Sequence, residues 1–178
     1  MFLVLLFCGN TIADSKDRDD KLNQLFEQLK KSNNVSMALE IEMKIWNIWS
    51  THPTQENLTE SLSKGSDLMS KGELEVAYKI FSVIIFSAPD WAEAWNKRAT
   101  VLYLMNRYQY SLDDIKITLA LEPRHFGALS GQALNYIELK QYEKAIQSYK
   151  AAQEIYPLLD SAKKMIPELE QLIDDQAI

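Results

Sequence analysis

The residue types that most often carry chemistry are sparse here. They are His52 and His125, a single cysteine at Cys8, and a short acidic run of Asp17, Asp19 and Asp20. A zinc site needs several Cys or His ligands at short spacing, and neither histidine has another Cys or His near it. The three aspartates resemble the opening of a calcium loop, but the required Gly and closing Glu are missing. Acids so placed favour the first turn of a helix instead. Both histidines fall on predicted turns, and for His125, beside Arg124, a solvated turn position is expected, with a groove edge as the alternative. Glycine-rich phosphate loops and nucleophile elbows are absent from the sequence. Trp46, Trp49, Trp91 and Trp95 would suit stacking on bases or sugars, yet Trp46 and Trp49 sit in an apolar helical pattern that assigns them to packing. The sequons at Asn34-Val35-Ser36 and Asn57-Leu58-Thr59 matter only in a eukaryotic secretory setting. The sequence therefore assigns no catalytic residue, no cofactor and no metal ligand, and the chain is expected not to be an enzyme.

The elements that would position any site are helical. The chain has 178 residues, 47% of them hydrophobic, which suits one domain with a sizeable core. Only five Gly and five Pro punctuate it, so long helices with brief connections are expected. A net charge of −6 and a pI near 5.0 disfavour nucleic acid or an anionic membrane surface as the main partner. One cysteine allows no internal disulfide.

The N-terminus reads Met-Phe-Leu-Val-Leu-Leu-Phe-Cys. Thr11 and Ala13 are small residues three and one before a cleavage point, so residues 1–13 are expected to be a signal peptide. The apolar run is short and no Lys or Arg precedes it, as a start codon misplaced downstream would produce. The run is too short to span a bilayer. Export to the periplasm is the expectation, with a cytoplasmic location, or membrane association through this segment, as the alternatives.

Pro89, Pro123 and Pro157 stand 34 residues apart. At that period the chain aligns into segments 58–91, 92–125 and 126–159. Gly65, Ala99 and Ala133 fall in one column, and Ala77, Ser111 and Ala145 in a second. Leu68, Leu102 and Tyr136 follow the first; Phe81, Ile115 and Tyr149 follow the second. Small residues permit close helix crossing and large neighbours fill the space beside it. Each segment splits into two helices at Lys71-Gly72, Asn106-Arg107 and Lys140-Gln141, where Gly and Asn suit a left-handed C-cap.

These segments resemble tetratricopeptide repeats. Trp95, Ala99, Leu102, Ser111, Ile115 and Pro123 carry the pattern in the second copy, and Leu129, Ala133, Tyr136, Ala145, Tyr149, Ala152 and Pro157 in the third. Ser61 replaces the large residue of the first. Lys64, Arg98 and Gln132 stand where the family has Leu. The resemblance implies an all-α helical-hairpin superhelix (an α-α solenoid) of about nine helices, whose first helices line a concave face. It also places Trp95 in the core. Residues 17–51 read as an N-terminal helical hairpin, with Ala38, Ile41, Ile45, Ile48 and Trp49 on one apolar face and Met43 and Trp46 on another, so that its second helix is covered on two sides. Residues 160–178 read as a capping helix, with Met165, Leu169 and Leu172 inward.

By the resemblance, a protein or peptide partner docks on outward positions of the first helices. These are Leu62, Ser66 and Met69; Asn96, Lys97, Thr100 and Tyr103; and Gly127, Ser130, Gly131, Leu134 and Glu138. The bare stripe at Gly127 and Gly131 admits either a ligand or a neighbouring helix. The Lys, Asn and Arg clamp that some family members use for a chaperone carboxylate would need basic residues at Leu62, Gly127 and Gly131, and it is absent. The expected function is a non-catalytic interaction scaffold, with neither nucleic acid nor a small-molecule substrate as partner. The alternatives are a self-associating structural module, forming a homo-oligomer, and an accessory ligand-binding role.

Overall fold

The computed structural model describes the backbone of residues 8–176 and the side chains of residues 16–175. Residues 1–7 and the side chains of 8–13, the expected signal peptide, lie outside the described residues. The described chain forms nine helices and no strand: α1 (Cys8–Lys31), α2 (Val35–Ser50), α3 (Glu56–Ser70), α4 (Leu74–Ser87), α5 (Ala92–Leu104), α6 (Tyr108–Leu121), α7 (Phe126–Glu138), α8 (Tyr142–Ile155) and α9 (Asp160–Gln176). It is an all-α solenoid of helical hairpins, and among the described residues no helix is long and apolar enough to cross a membrane.

The 34-residue period reappears as three copies of the same turn. Gly72, Asn106 and Lys140 have φ of 78°, 59° and 57°. Glu73, Arg107 and Gln141 donate back to the carbonyls of Leu68, Leu102 and Tyr136, and the left-handed residues donate to Met69, Tyr103 and Ile137. This pair of bonds is the Schellman closure, and it satisfies carbonyls that a helix end leaves open. The prolines act alike: α4, α6 and α8 each end two residues before one.

The small columns lie at the crossings. Ala77, Ser111 and Ala145 are sealed from solvent, as are Phe81, Ile115 and Tyr149 beneath them. A Cβ on Gly65 would stand 2.6 Å from the Phe81 ring, so this crossing tolerates no side chain. Ser111 takes an Ala position by donating to the Ala99 carbonyl at 2.8 Å and accepting from Asn135 Nδ2 at 3.0 Å. The polar column also has a partner sixteen residues on. Arg98 forms a fork with Asp114 (2.7 and 2.8 Å), and Ser148 donates to Gln132 at 2.8 Å. Lys64 faces Ile80 at that spacing and stays exposed.

First helices touch one another, α3 with α5 and α5 with α7, while second helices make no comparable contact with each other. The stack therefore curves with α3, α5 and α7 on its inner side. At the far end Ala162, Ile166 and Leu169 of α9 seal Ala133, Ala145, Ile146 and Tyr149. Leu172, expected inward, is exposed; Ala162 and Ile166 complete that stripe instead.

The N-terminal hairpin does not extend the stack. It folds across the edge where one hairpin connects to the next. Leu22, Leu25, Phe26 and Leu29 of α1 and Ala38, Ile41, Ile45 and Trp49 of α2 share one core with Phe126, Leu129, Ala152 and Tyr156. Arg124 lies 4.3 Å over the Phe26 ring and donates to Asn23 Oδ1 at 2.7 Å. Trp91 Nε1 donates to the Trp49 carbonyl at 2.8 Å. Of the second face expected for α2, Trp46 packs against α7 but Met43 is exposed.

A concave groove between α5 and α7

The inner face holds a groove of roughly 180 Å³ between α5 and α7. Asn96, Thr100, Tyr103, Gly127, Ser130, Gly131 and Leu134 line it, over a floor of Ala99, Ser111, Ile115 and Asn135. Seven expected site residues are thus brought together. The 34-residue columns explain their depth. In one column Leu62 and Asn96 are buried and Ser130 half-buried; one turn further on, Ser66 is half-buried and Thr100 and Leu134 are exposed.

Several expectations need correction. Leu62 is buried in the core of the first hairpin and cannot meet a partner. Met69 packs against that same core, and Ser66 is half-buried outside the groove. Asn96 is buried, and its Nδ2 donates to Glu93 Oε2 at 3.0 Å, so it is not free to pair with a peptide backbone. Lys97 stands with Nζ 3.3 Å from Glu93 Oε1 and 5.7 Å over the Trp46 ring. Gly127 is bare for the neighbouring hairpin: a Cβ there would lie 2.5 Å from Trp46. Gly131 differs, because its Cβ would meet only Ile115 Cδ1 at 3.7 Å and the space above stays open.

The groove's two ends are built differently. At the helix N-termini, Trp46 of α2 lies over Gly127 and closes that end. At the C-termini, Tyr103 and Tyr108 stand with ring centroids 5.7 Å apart, and their hydroxyls lie 3.4 and 3.3 Å from the two oxygens of Glu138. Both hydroxyls are pushed above the usual phenol range, first by lost hydration and then by the Glu138 charge. Between the ends, Thr100 donates to the Asn96 carbonyl at 3.0 Å and Ser130 to that of Phe126 at 2.9 Å. Their hydrogens are committed, so towards a ligand both oxygens act as acceptors.

Beneath the closed end lies a buried polar pair that sequence reasoning missed. His125 is fully buried, contrary to the solvated turn expected of it. Its Nδ1 accepts from the Ala128 N–H at 3.1 Å, capping α7. The ring proton therefore sits on Nε2, which donates to Glu93 Oε2 at 2.9 Å. Burial pushes the Glu93 carboxyl up, but the hydrogen bond from His125 and the charge of Lys97 outweigh it and hold the carboxyl below its usual range. No substrate reaches this pair. Among the described residues no group of three His, Cys, Asp or Glu could hold a metal ion.

No family model matches the chain. A tetratricopeptide repeat-containing protein of Rhizobium etli is 29% identical over 152 residues, which are 85% of this chain and 74% of that protein. Among solved structures, the tetratricopeptide domain of Sgt2 from Aspergillus fumigatus aligns with a TM-score of 0.65 at 17% identity, covering 69% of this chain and 83% of that one. The Yersinia enterocolitica type III secretion chaperone SycD, solved in complex with a peptide of the translocator YopD, aligns with a TM-score of 0.62 at 12% identity, covering 68% of this chain and 98% of that one.

Proposed function

We propose that the chain, which is similar to tetratricopeptide-repeat proteins, is a non-catalytic scaffold that seats a segment of a partner protein in the groove between α5 and α7. The observation that carries this reading is the open column of Thr100 and Leu134 above bare Gly131, with Tyr103 beside it. These residues offer apolar area, a rigid aromatic and hydroxyl acceptors along one strip, as peptide recognition requires. The SycD fold, which holds a peptide in its own structure, supports the same use. The one acid–base pair of the described core, Glu93 and His125, is sealed by Trp46 and Trp49, which speaks for a structural role.

The test is a pull-down from native extract with the parent chain beside a Thr100→Trp, Leu134→Lys variant. Both positions are exposed, so the variant should melt within about 2 °C of the parent. A protein held by the parent and lost by the variant supports groove recognition. Equal capture, or capture of further copies of the chain alone, favours self-association. The apolar run ending at Cys8 and the small residues Thr11 and Ala13 support an exported location. N-terminal sequencing of the mature protein tests that: an intact Met1 on a cytoplasmic protein sinks it.

A further inference from the structure

We propose that the open end of the groove is a receptor for a cationic side chain, so that the partner segment is a basic one bearing Arg or Lys. This rests on the groove reading above and adds the chemistry of its occupant. Three independent features converge on it.

The first is the constellation itself. Tyr103 ends α5, Tyr108 begins α6 and Glu138 ends α7, so three elements bring two aromatic rings and one carboxylate together. A cation set against the open face of one of these touching rings gains from its negative face, and a carboxylate at the same point adds a charge-assisted hydrogen bond. Glu138 is exposed and receives only a long bond from the Tyr103 hydroxyl at 3.4 Å, because the Tyr108 hydroxyl 3.3 Å from its other oxygen donates at 2.9 Å to Asn106 Oδ1 instead. Among the described residues no Lys or Arg pairs with it. Arg107, on the turn before α6, is engaged with Glu75 at 3.3 Å, and Lys140, two residues beyond Glu138, is exposed and forms no ion pair with it.

The second is the direction of the helices. Those lining the groove run parallel, so the negative ends of α5 and α7 both fall beside Tyr103 and Glu138. The positive ends fall at Ala92 and Phe126, where Trp46 closes the groove. What remains open is the cation-favouring half. The third is hydrogen bonding along the strip. Thr100 and Ser130 present acceptors only, so the groove favours a ligand that brings donors.

Fluorescence anisotropy of labelled, capped (Ala-Arg)6 and (Ala-Glu)6 peptides against the full chain tests this. The Arg peptide should bind and the Glu peptide should not. Glu138→Gln keeps an amide oxygen for the tyrosines and should weaken Arg-peptide binding by about tenfold. Glu60→Gln, which makes the same change in net charge on an exposed face of α3, should leave binding unchanged. Failure of the Arg peptide to bind, or equal binding to Glu138→Gln, overturns the proposal. If a natural partner is lost with the Thr100→Trp, Leu134→Lys variant yet indifferent to Glu138→Gln, the groove reading stands and the cation site falls. If the groove variant changes nothing, the groove reading itself has failed.

Discussion

The imidazole of His125 lies flat on the indole of Trp49, with ring centroids 4.0 Å apart and planes 10° from parallel. One face of His125 is therefore the seat of the N-terminal hairpin. Its two nitrogens join α7 to Glu93 of α5. A single residue on an inter-repeat turn thus fixes where three parts of the molecule meet.

Glu93 should make the protein acid-sensitive. Its folded pKa is depressed, so its stabilising contribution is complete above the unfolded value of about 4.3 and is lost as pH falls through the lower folded value. Urea unfolding at about pH 6 and about pH 3 measures this. The parent should lose more stability between the two than Glu93→Gln does. At the higher pH, Glu93→Ala should cost about 1–3 kcal/mol, because it leaves the buried Nε2–H of His125 without a partner.

The two glycines of α7 should respond oppositely to alanine. At Gly131 the added methyl meets ordinary van der Waals contact, so Gly131→Ala should gain about 1 kcal/mol from helix propensity. At Gly127 it would collide with Trp46, and Gly127→Ala should lower the melting temperature while loosening the hairpin. Thermal unfolding of both variants, with Trp46 fluorescence as the local reporter, checks the pair.

Lys140 holds the left-handed position that Gly72 and Asn106 hold in the other two hairpins. An L residue with a Cβ is strained there. Lys140→Gly should stabilise by about 0.5–1 kcal/mol, while Gly72→Lys should destabilise by a similar amount. Denaturant midpoints measured side by side decide it.

Arg98 of α5 and Asp114 of α6 form a largely buried fork. Asp114→Leu alone should be strongly destabilising, by about 3 kcal/mol, because it leaves the guanidinium unpaired. Adding Arg98→Leu should recover most of that loss, since a buried pair and its apolar replacement are close in stability. A double-mutant cycle reads the coupling directly.

How far each feature could be read in advance depends on the range of the interaction behind it. The prolines, the Gly72 and Asn106 caps and the Ala columns act within one hairpin, so residues in sequence proximity declare them. Sixteen-residue pairings such as Arg98 with Asp114 lie at the limit of that range: the polar column was visible, its partners were not. The seat of the N-terminal hairpin depends on Phe26, Trp46 and Trp49 meeting residues 124–129 and 152–156, which are 75 to 130 positions away in the chain. Nothing local marks that contact. The role of His125 is hidden for the same reason, because Glu93 looks like an ordinary first-turn acid until the fold sets His125 against it. In the groove, periodicity found the inner face but not its depth. Residues 62, 96 and 130 differ from 66, 100 and 134 by one helical turn, and only the tilt of α5 against α7 shows which turn is open.

The most direct test of groove recognition is a photo-crosslink from a single position. Benzoylphenylalanine placed at Thr100, and separately at Phe86 on the exposed face of α4, is irradiated with the partner that the pull-down retains. A crosslink from position 100 that unlabelled partner peptide competes away, with none from position 86, is the predicted result. A crosslink from position 86 and none from 100 would place the partner outside the groove and contradict the account.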